Sequence, residues 1–371
     1  MNEMRYDWLG DRWVIFAPNR ILRPDNYRDP SSPKPNPTSL APTDRITDEH
    51  CPFCSGQEQQ TPPPTLVLKI PSAHDWSVRV VPNKFPAFDS ANEIPLCTDP
   101  QCNPANNSGN HSAIHSDLFL RKQTRGGHEV IIEAPDHIQS ITQLPTEHAA
   151  LIFEAYQERL RYWRSVHAMR YAVVFKNNGA DAGASLVHAH SQLICTDFLP
   201  TDVLKTQLRS NEYFQTHRRC YACAVLEKEI QSNQRIVAQT DSFVALCPFA
   251  SRLPYSVSIL PIEHQSAFEG CTPCQLVELA RLVQWTLRSI ECEHPQAAYN
   301  YVLQTAPLDA HNPAAFHWRL KVLPRLIKVA GFEWSSDCYI NTVLPEEAAK
   351  ALGRHFPTAL SEKSLSQTAT A

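Results

Sequence analysis

Two Cys-x-x-Cys pairs, Cys51-Pro-Phe-Cys54 and Cys220-Tyr-Ala-Cys223, have the spacing to grip a metal ion. Such a pair brings two thiolates onto one cation, and a structural Zn(II) completes its tetrahedron with two further N or S ligands. Each pair is followed by a strand-like run that ends in histidine: His128 to His137 after the first, Tyr255 to His264 after the second. A helical pattern, another β-type run and a further histidine then follow, His188 in one half and His317 in the other. His188 lies 51 residues after His137, and His317 lies 53 after His264. Two copies of one unit account for this order. The expected zinc sites are therefore Cys51, Cys54, His137, His188 and Cys220, Cys223, His264, His317. A third pair, Cys271-Thr-Pro-Cys274, has no such companions; Pro273 suits a first helical position and marks these residues as a helix start.

The first half carries one histidine more than a metal needs. In His188-Ala-His190-Ser-Gln192 an extended chain puts residues 188, 190 and 192 on one face. With His188 on the metal, His190 is anchored beside it and free to attack phosphorus, which splits one group transfer into two steps. Gln192, Ser185 and Asn177 can donate hydrogen bonds to phosphate oxygens as charge builds there. The second half reads His317-Trp-Arg319, so arginine stands where the nucleophile would be. Near the amino terminus, Arg20 and Arg23 follow a β-type run and suit a phosphate or diphosphate. Neither the P-loop pattern nor the dinucleotide fingerprint occurs.

The elements that must position these groups are mostly strands. Trp13–Phe16, Val78–Val81, Glu129–Ile132, Tyr171–Phe175, Tyr255–Leu260 and Tyr299–Leu303 have β-type composition. Two long helical patterns run from Thr146 to Arg164, with Ile152, Tyr156 and Leu160 at i+4 steps, and from Cys274 to Ile290, with Leu276, Leu279, Ala280, Val283 and Leu287 on one stripe. Strands outnumbering helices in mixed order favour α+β with an antiparallel sheet. Asp29–Thr43, the loop at Asp99–Gly109 that holds Cys102, and the chain after His355 read as unstructured.

Composition narrows the function. The 371 residues carry 34 Lys and Arg against 38 Asp and Glu, so a polyanion partner is not expected. A zinc-stapled nucleic-acid module would have ligands close in sequence and a basic surface, whereas 83 residues separate Cys54 from His137. No apolar run reaches membrane-spanning length and no leader is visible. Twelve cysteines in such a chain fit a reducing, cytoplasmic setting.

Taken together, Trp13-Val-Ile-Phe-Ala-Pro-Asn-Arg20-Ile-Leu-Arg23-Pro, Cys51-Pro-Phe-Cys54, Ala134-Pro-Asp-His137, Phe175-Lys-Asn177-Asn-Gly179-Ala, Gly183-Ala-Ser185-Leu-Val-His188-Ala-His190-Ser-Gln192 and Gly331-Phe-Glu333 resemble the galactose-1-phosphate uridylyltransferase family. This family belongs to the histidine-triad superfamily, and the resemblance includes its ADP-glucose phosphorylase-like branch. The resemblance implies two tandem histidine-triad-like units, each an antiparallel sheet with a helix and one zinc site. An amino-terminal domain at 1–200 would carry the nucleophile, followed by a second at 201–355 and a flexible tail at 356–371. It implies that His190 is nucleotidylated, that Gln192 contacts the transferred phosphate, and that Arg20, Arg23, Asn83, Asn177, Gly183 and Ser185 contact nucleotide and phosphate. Glu333 falls at a sugar-contacting position. The implied activity is ping-pong transfer from UDP-glucose to a hexose 1-phosphate such as galactose 1-phosphate. The alternative is an ADP-sugar or dinucleoside polyphosphate phosphorylase. A homodimer that completes its sites across the interface is also implied. Ala184 and Ala189 depart from the best-known members, which have cysteine and proline there.

Overall fold

The computed structural model describes residues 2–22, 48, 50–71, 75–88 and 124–357. Arg23, Cys102, the segments at 29–43 and 99–109 and the tail beyond 357 lie outside the described residues. The strands are β1 (Glu3–Asp7), β2 (Arg12–Phe16), β3 (Leu66–Leu68), β4 (Val78–Pro82), β5 (Gly126–Ile132), β6 (Tyr171–Asn178), β7 (His190–Thr196), β8 (Ile236–Gln239), β9 (Phe243–Leu246), β10 (Val257–Pro261), β11 (Tyr299–Gln304), β12 (Arg319–Pro324) and β13 (Tyr339–Asn341). The helices are α1 (Thr146–Ser165), α2 (Thr201–His217), α3 (Tyr221–Ser232), α4 (Pro273–Glu293), α5 (Gly331–Ser336) and α6 (Pro345–Gly353).

Ten strands form one antiparallel sheet in the order β3-β4-β5-β7-β6-β11-β12-β10-β9-β8, so the mixed α+β, antiparallel architecture is as expected. Outward from the β6–β11 seam the two sides repeat: a strand, the strand that follows the histidine, then the strand that precedes the first histidine of each set. One row of paired residues crosses the middle of the sheet as Val130, Gln192, Phe175, Val302, Lys321 and Ser258. A second, three-stranded sheet joins β1, β2 and β13, with β13 parallel to β2.

Both long helices cover the same face of the large sheet. Ile152, Tyr156 and Leu160 of α1 and Leu276, Leu279, Ala280, Val283 and Leu287 of α4 are buried in one core that also takes Val174, Leu193, Trp318, Leu320 and Val322 from the strands. Each large apolar side chain so buried contributes about 1.5–3 kcal/mol relative to exposure. Trp163 of α1 lies flat enough on β5 that a Cβ at Gly127 would meet its ring at 2.0 Å. Thr272 caps α4 by accepting from Gln275 N at 3.3 Å, with Pro273 in the first turn, so the third cysteine pair is indeed a helix start. Because strand side chains alternate, His190, Gln192, Arg319 and Lys321 project from the other face.

Two expectations shift at strand starts. Tyr255 has φ +57°, a left-handed turn that ends the preceding loop, so β10 starts at Val257 instead. His188 precedes β7, which begins at His190, because Ala189 N donates to Ile138 O at 2.7 Å rather than extending the ladder.

Candidate active site and metal centres

The two Cys/His sets assemble as their spacing predicts. In each, one ligand atom per residue lies within 4.8 Å of all the others. Cys51 Sγ and Cys54 Sγ lie 3.6 Å from His188 Nδ1, and Cys54 Sγ lies 3.4 Å from His137 Nδ1. In the second set Cys223 Sγ is 3.4 Å from both His264 Nδ1 and His317 Nδ1. A zinc tetrahedron has S–N edges of about 3.6 Å, so both sets fit that ion. The supporting contacts repeat too. His188 Nε2–H donates to Ala134 O at 2.9 Å and His317 Nε2–H to Pro261 O at 3.0 Å, which leaves each Nδ1 lone pair turned to the thiols. Burial pushes the Cys54 thiol up to about 11 and the His188 imidazole down to about 4. A cation at the site reverses the first effect by stabilising thiolate.

Local folding differs between the sets. Cys51 and Cys54 bracket a tight turn, with Cys54 N donating to Cys51 O at 3.2 Å. Cys220 is instead the N-cap of α3, and Cys223 sits in its first turn.

His190 is nine-tenths buried, its ring edge-on to Phe53 with centroids 5.3 Å apart. Its Nδ1 lies 2.8 Å from the His188 carbonyl, which can only accept, so Nδ1 carries the proton. Nε2 is left with its lone pair and has no partner among the described residues. Burial also holds the imidazole below its ordinary pKa, so it is neutral near pH 7. A neutral imidazole with one nitrogen tethered and the other free is a nucleophile.

Several residues that sequence reasoning missed hold this arrangement in place. Beneath the strand, Lys176 Nζ pairs with Glu133 Oε2 at 2.6 Å and donates to the His190 carbonyl at 3.2 Å. Ser191 Oγ donates to Glu133 Oε1 at 2.7 Å and contacts Tyr156 OH at 2.6 Å. His128 Nε2–H donates to Gln192 Oε1 at 2.8 Å, and its Nδ1 accepts from Ala87 N at 3.2 Å. That fixes the Gln192 carbonyl oxygen and leaves its NH2 to donate elsewhere. Asn83 Nδ2 lies 3.1 Å from the same His128 nitrogen, so Asn83 and Gln192 meet at one ring.

The other expected residues divide between two places. Asn177 accepts from Asn300 Nδ2 at 2.9 Å across the seam, and Asn300 also donates to Ala182 O at 2.8 Å, tying down the turn that carries Gly183. Gly183 has φ +83°, a conformation in which only glycine is unstrained. Ser185 is exposed on the following loop. Arg20, however, lines a cleft of about 1620 Å³ that does not include His190. Glu333 Oε2 accepts from Ala330 N at 3.0 Å at the start of α5, next to Trp334 in the wall of that same cleft.

Sheet, tethered histidine and paired Cys/His groups form a candidate group-transfer site, and likeness to known proteins assigns its class, the nucleotidyltransferases. The family described as galactose-1-phosphate uridyl transferase, N-terminal domain, matches residues 1–200, and a domain of unknown function (DUF4921) matches 112–369. An ADP-glucose phosphorylase of Arabidopsis thaliana is 32% identical over 94% of this chain and 92% of its own. A galactose-1-phosphate uridylyltransferase of Thermotoga maritima is 27% identical over 95% and 98%. The crystal structure of an ADP-glucose phosphorylase from Arabidopsis thaliana with bound ADP-glucose superposes with a TM-score of 0.76 at 30% identity, covering 95% of this chain and 98% of that one. The chain belongs to the galactose-1-phosphate uridylyltransferase family.

Proposed function

We propose that the chain transfers a nucleotidyl group by a ping-pong route through His190. The observation that carries the reading is the imidazole whose Nδ1–H is spent on the His188 carbonyl while Nε2 stays free. Nε2 attacks the α-phosphorus of a nucleoside diphosphate sugar; the P–N bond forms as the bond to the departing sugar 1-phosphate breaks. A second phosphate group then attacks the same phosphorus and releases Nε2. The Gln192 NH2, turned outward by His128, donates to a non-bridging oxygen whose charge grows in each transition state. Asn177, Gly183, Ser185 and Asn83 bind the phosphates and nucleoside around it.

Cys51, Cys54, His137 and His188 would hold one zinc ion and Cys220, Cys223, His264 and His317 a second; in the first set the ion would anchor His188, whose carbonyl fixes the tautomer of His190, and its contribution would be structural. Two tandem histidine-triad-like units, at 1–200 and 201–355, account for the repeated strand order and the repeated ligand sets. A homodimer brings Arg20 and Glu333 of one chain to the His190 of the other. Its support is that Arg20 and Trp334 of α5 line a cleft to which His190 does not contribute, with Phe332 and Trp334 exposed on either side of Glu333.

The leading reaction is uridylyl transfer between UDP-glucose and a hexose 1-phosphate such as galactose 1-phosphate. A second reading, adenylyl transfer from an ADP-sugar to inorganic phosphate, is favoured by the likeness to the Arabidopsis ADP-glucose phosphorylase along nearly the whole chain. Zinc-loaded protein is incubated with UDP-glucose or ADP-glucose labelled in the nucleotide. An acid-labile adduct on His190 is expected from one of them, and its absence with both overturns the mechanism. Offering galactose 1-phosphate or orthophosphate to the adduct then separates the two reactions.

A further inference from the structure

The seam between β6 and β11 relates more than the metal ligands. Phe175 faces Val302 across it, and on either side of that pair Gln192 and Lys321 occupy the same row of the sheet. Counting along each chain from that row, Lys321 is the counterpart of Gln192, Arg319 of His190, and Gln304 of Asn177. Three strand spacings of about 4.8 Å put Lys321 roughly 14 Å from Gln192 on the same open face. Where the first half has a nucleophile and an amide, the second has two cations.

Those cations have little to balance them. Arg319 spends Nε–H on Gln304 Oε1 at 3.2 Å, and the rest of its guanidinium has no partner among the described residues. Lys321 Nζ has no hydrogen-bond or ion-pair partner among them, and Asp7, in the wall of the same cleft, is an acid whose charge acts on both cations. Both line the cleft of about 1620 Å³, together with Arg252 and Arg325, whose side chains also lack an ionic partner among the described residues. The acids in the same walls are largely engaged. Glu229 pairs with Arg235 at 3.0 Å, Asp202 lies 3.3 Å from Arg12, and Asp7 accepts from Gly10 N at 3.0 Å. Asp181 is the fourth. Burial, and then the like charges of Arg319 and Arg252, push the Lys321 ammonium well below its ordinary pKa. Grouped cations in a half-buried position are costly unless an anion answers them.

We propose that the floor of this cleft on β12, as distinct from Arg20 and α5, which the proposed dimer turns to the partner's His190, is a second, non-catalytic binding site for a phosphate group, held by Lys321 and Arg319 and by Arg252 from the wall. Gln304 holds the Arg319 fork toward the cleft, as Asn300 holds Asn177 in the first half. The site has no nucleophile, so its ligand binds and leaves unchanged. The cleft has room for a nucleotide or a sugar phosphate as well as for orthophosphate, and the shared recognition element is the phosphate dianion.

The test uses the full zinc-loaded chain. Orthophosphate, glucose 1-phosphate, AMP and UMP are titrated separately by calorimetry into wild type, Lys321→Met, Arg319→Gln and Lys321→Arg. Wild type is expected to bind at least one of these ligands at one more site per chain than Lys321→Met. That extra site weakens about tenfold or more when either cation is removed and survives in Lys321→Arg. The ligand that binds tightest identifies the source of the phosphate. Labelling of His190 is expected to stay within about twofold of wild type in all three variants. Crystals soaked in tungstate, a heavy phosphate analogue, should place an ion between Lys321 and Arg319. Equal site numbers and affinities in wild type and Lys321→Met overturn the proposal, as does a cleft left empty by tungstate. Should Lys321→Met fail to fold, the tungstate position and the Lys321→Arg titration still decide it.

Discussion

The sites built on β7 and β12 share a scaffold and differ in what lies above and below the strand. Above it, His190 and Gln192 on β7 face Arg319 and Lys321 on β12 as counterparts. Below it, the first half buries the Lys176–Glu133 pair and the Ser191 hydroxyl, whereas the counterparts of Lys176 and Ser191 are Leu303 and Leu320, both fully buried in the apolar core. The cysteines are placed differently in the two sets, but the histidine contacts repeat, down to the carbonyl that each second histidine bonds. At the positions compared, a buried Lys–Glu pair therefore lies beneath the proposed nucleophile, where it holds the backbone, and apolar side chains lie beneath its counterpart.

The sharpest break of this comparison is His190→Gly, which should lower transfer by at least about a thousandfold while leaving the melting temperature near that of wild type, measured by steady-state assay and calorimetry. The reciprocal change, Arg319→His, should create no second adduct, because nothing beneath it anchors the ring; labelling above one nucleotide per chain would sink that view. Next come the metal sets. His188→Ala and His317→Ala should each reduce bound zinc from about two to about one per chain by elemental analysis. Only His188→Ala should also abolish labelling of His190. Lys176→Met strands the Glu133 carboxylate in the core and should cost about 3–5 kcal/mol in denaturant unfolding. The paired substitution Lys321→Met removes a cation with no partner and should cost nothing or stabilise. Smallest is His128→Ala, which frees Gln192 and should lower kcat about tenfold with little change in stability, a modest share of the effect of losing a donor outright.

The parts of this site that were legible in the sequence are those set by short spacing. The Cys-x-x-Cys pairs, the two repeated histidines and the stripes of α1 and α4 are local patterns, and each corresponds to an observed element or cluster. Contacts that join distant strands were not legible. Lys176 sits in Tyr171–Asn178 like any alternating residue, and its partner Glu133 lies just past the end of β5, 43 positions earlier. His128 was visible only as the first residue of a β-type run, because its bond to Gln192 depends on the β5–β7 register. The start of β10 was misplaced because composition does not reveal the left-handed backbone at Tyr255. The cationic cleft needs both the sheet order and the second sheet, neither of which spacing specifies.

The β6–β11 ladder also governs how the gene could be divided. Cutting the chain after residue 200 would strip β11 from β6 and leave Tyr171–Asn178 as a bare edge of amides and carbonyls, with Val173 and Phe175 beside it. Such an edge invites pairing with another copy. The amino-terminal half made alone should therefore self-associate, and supplying the missing half in trans should restore it to solution.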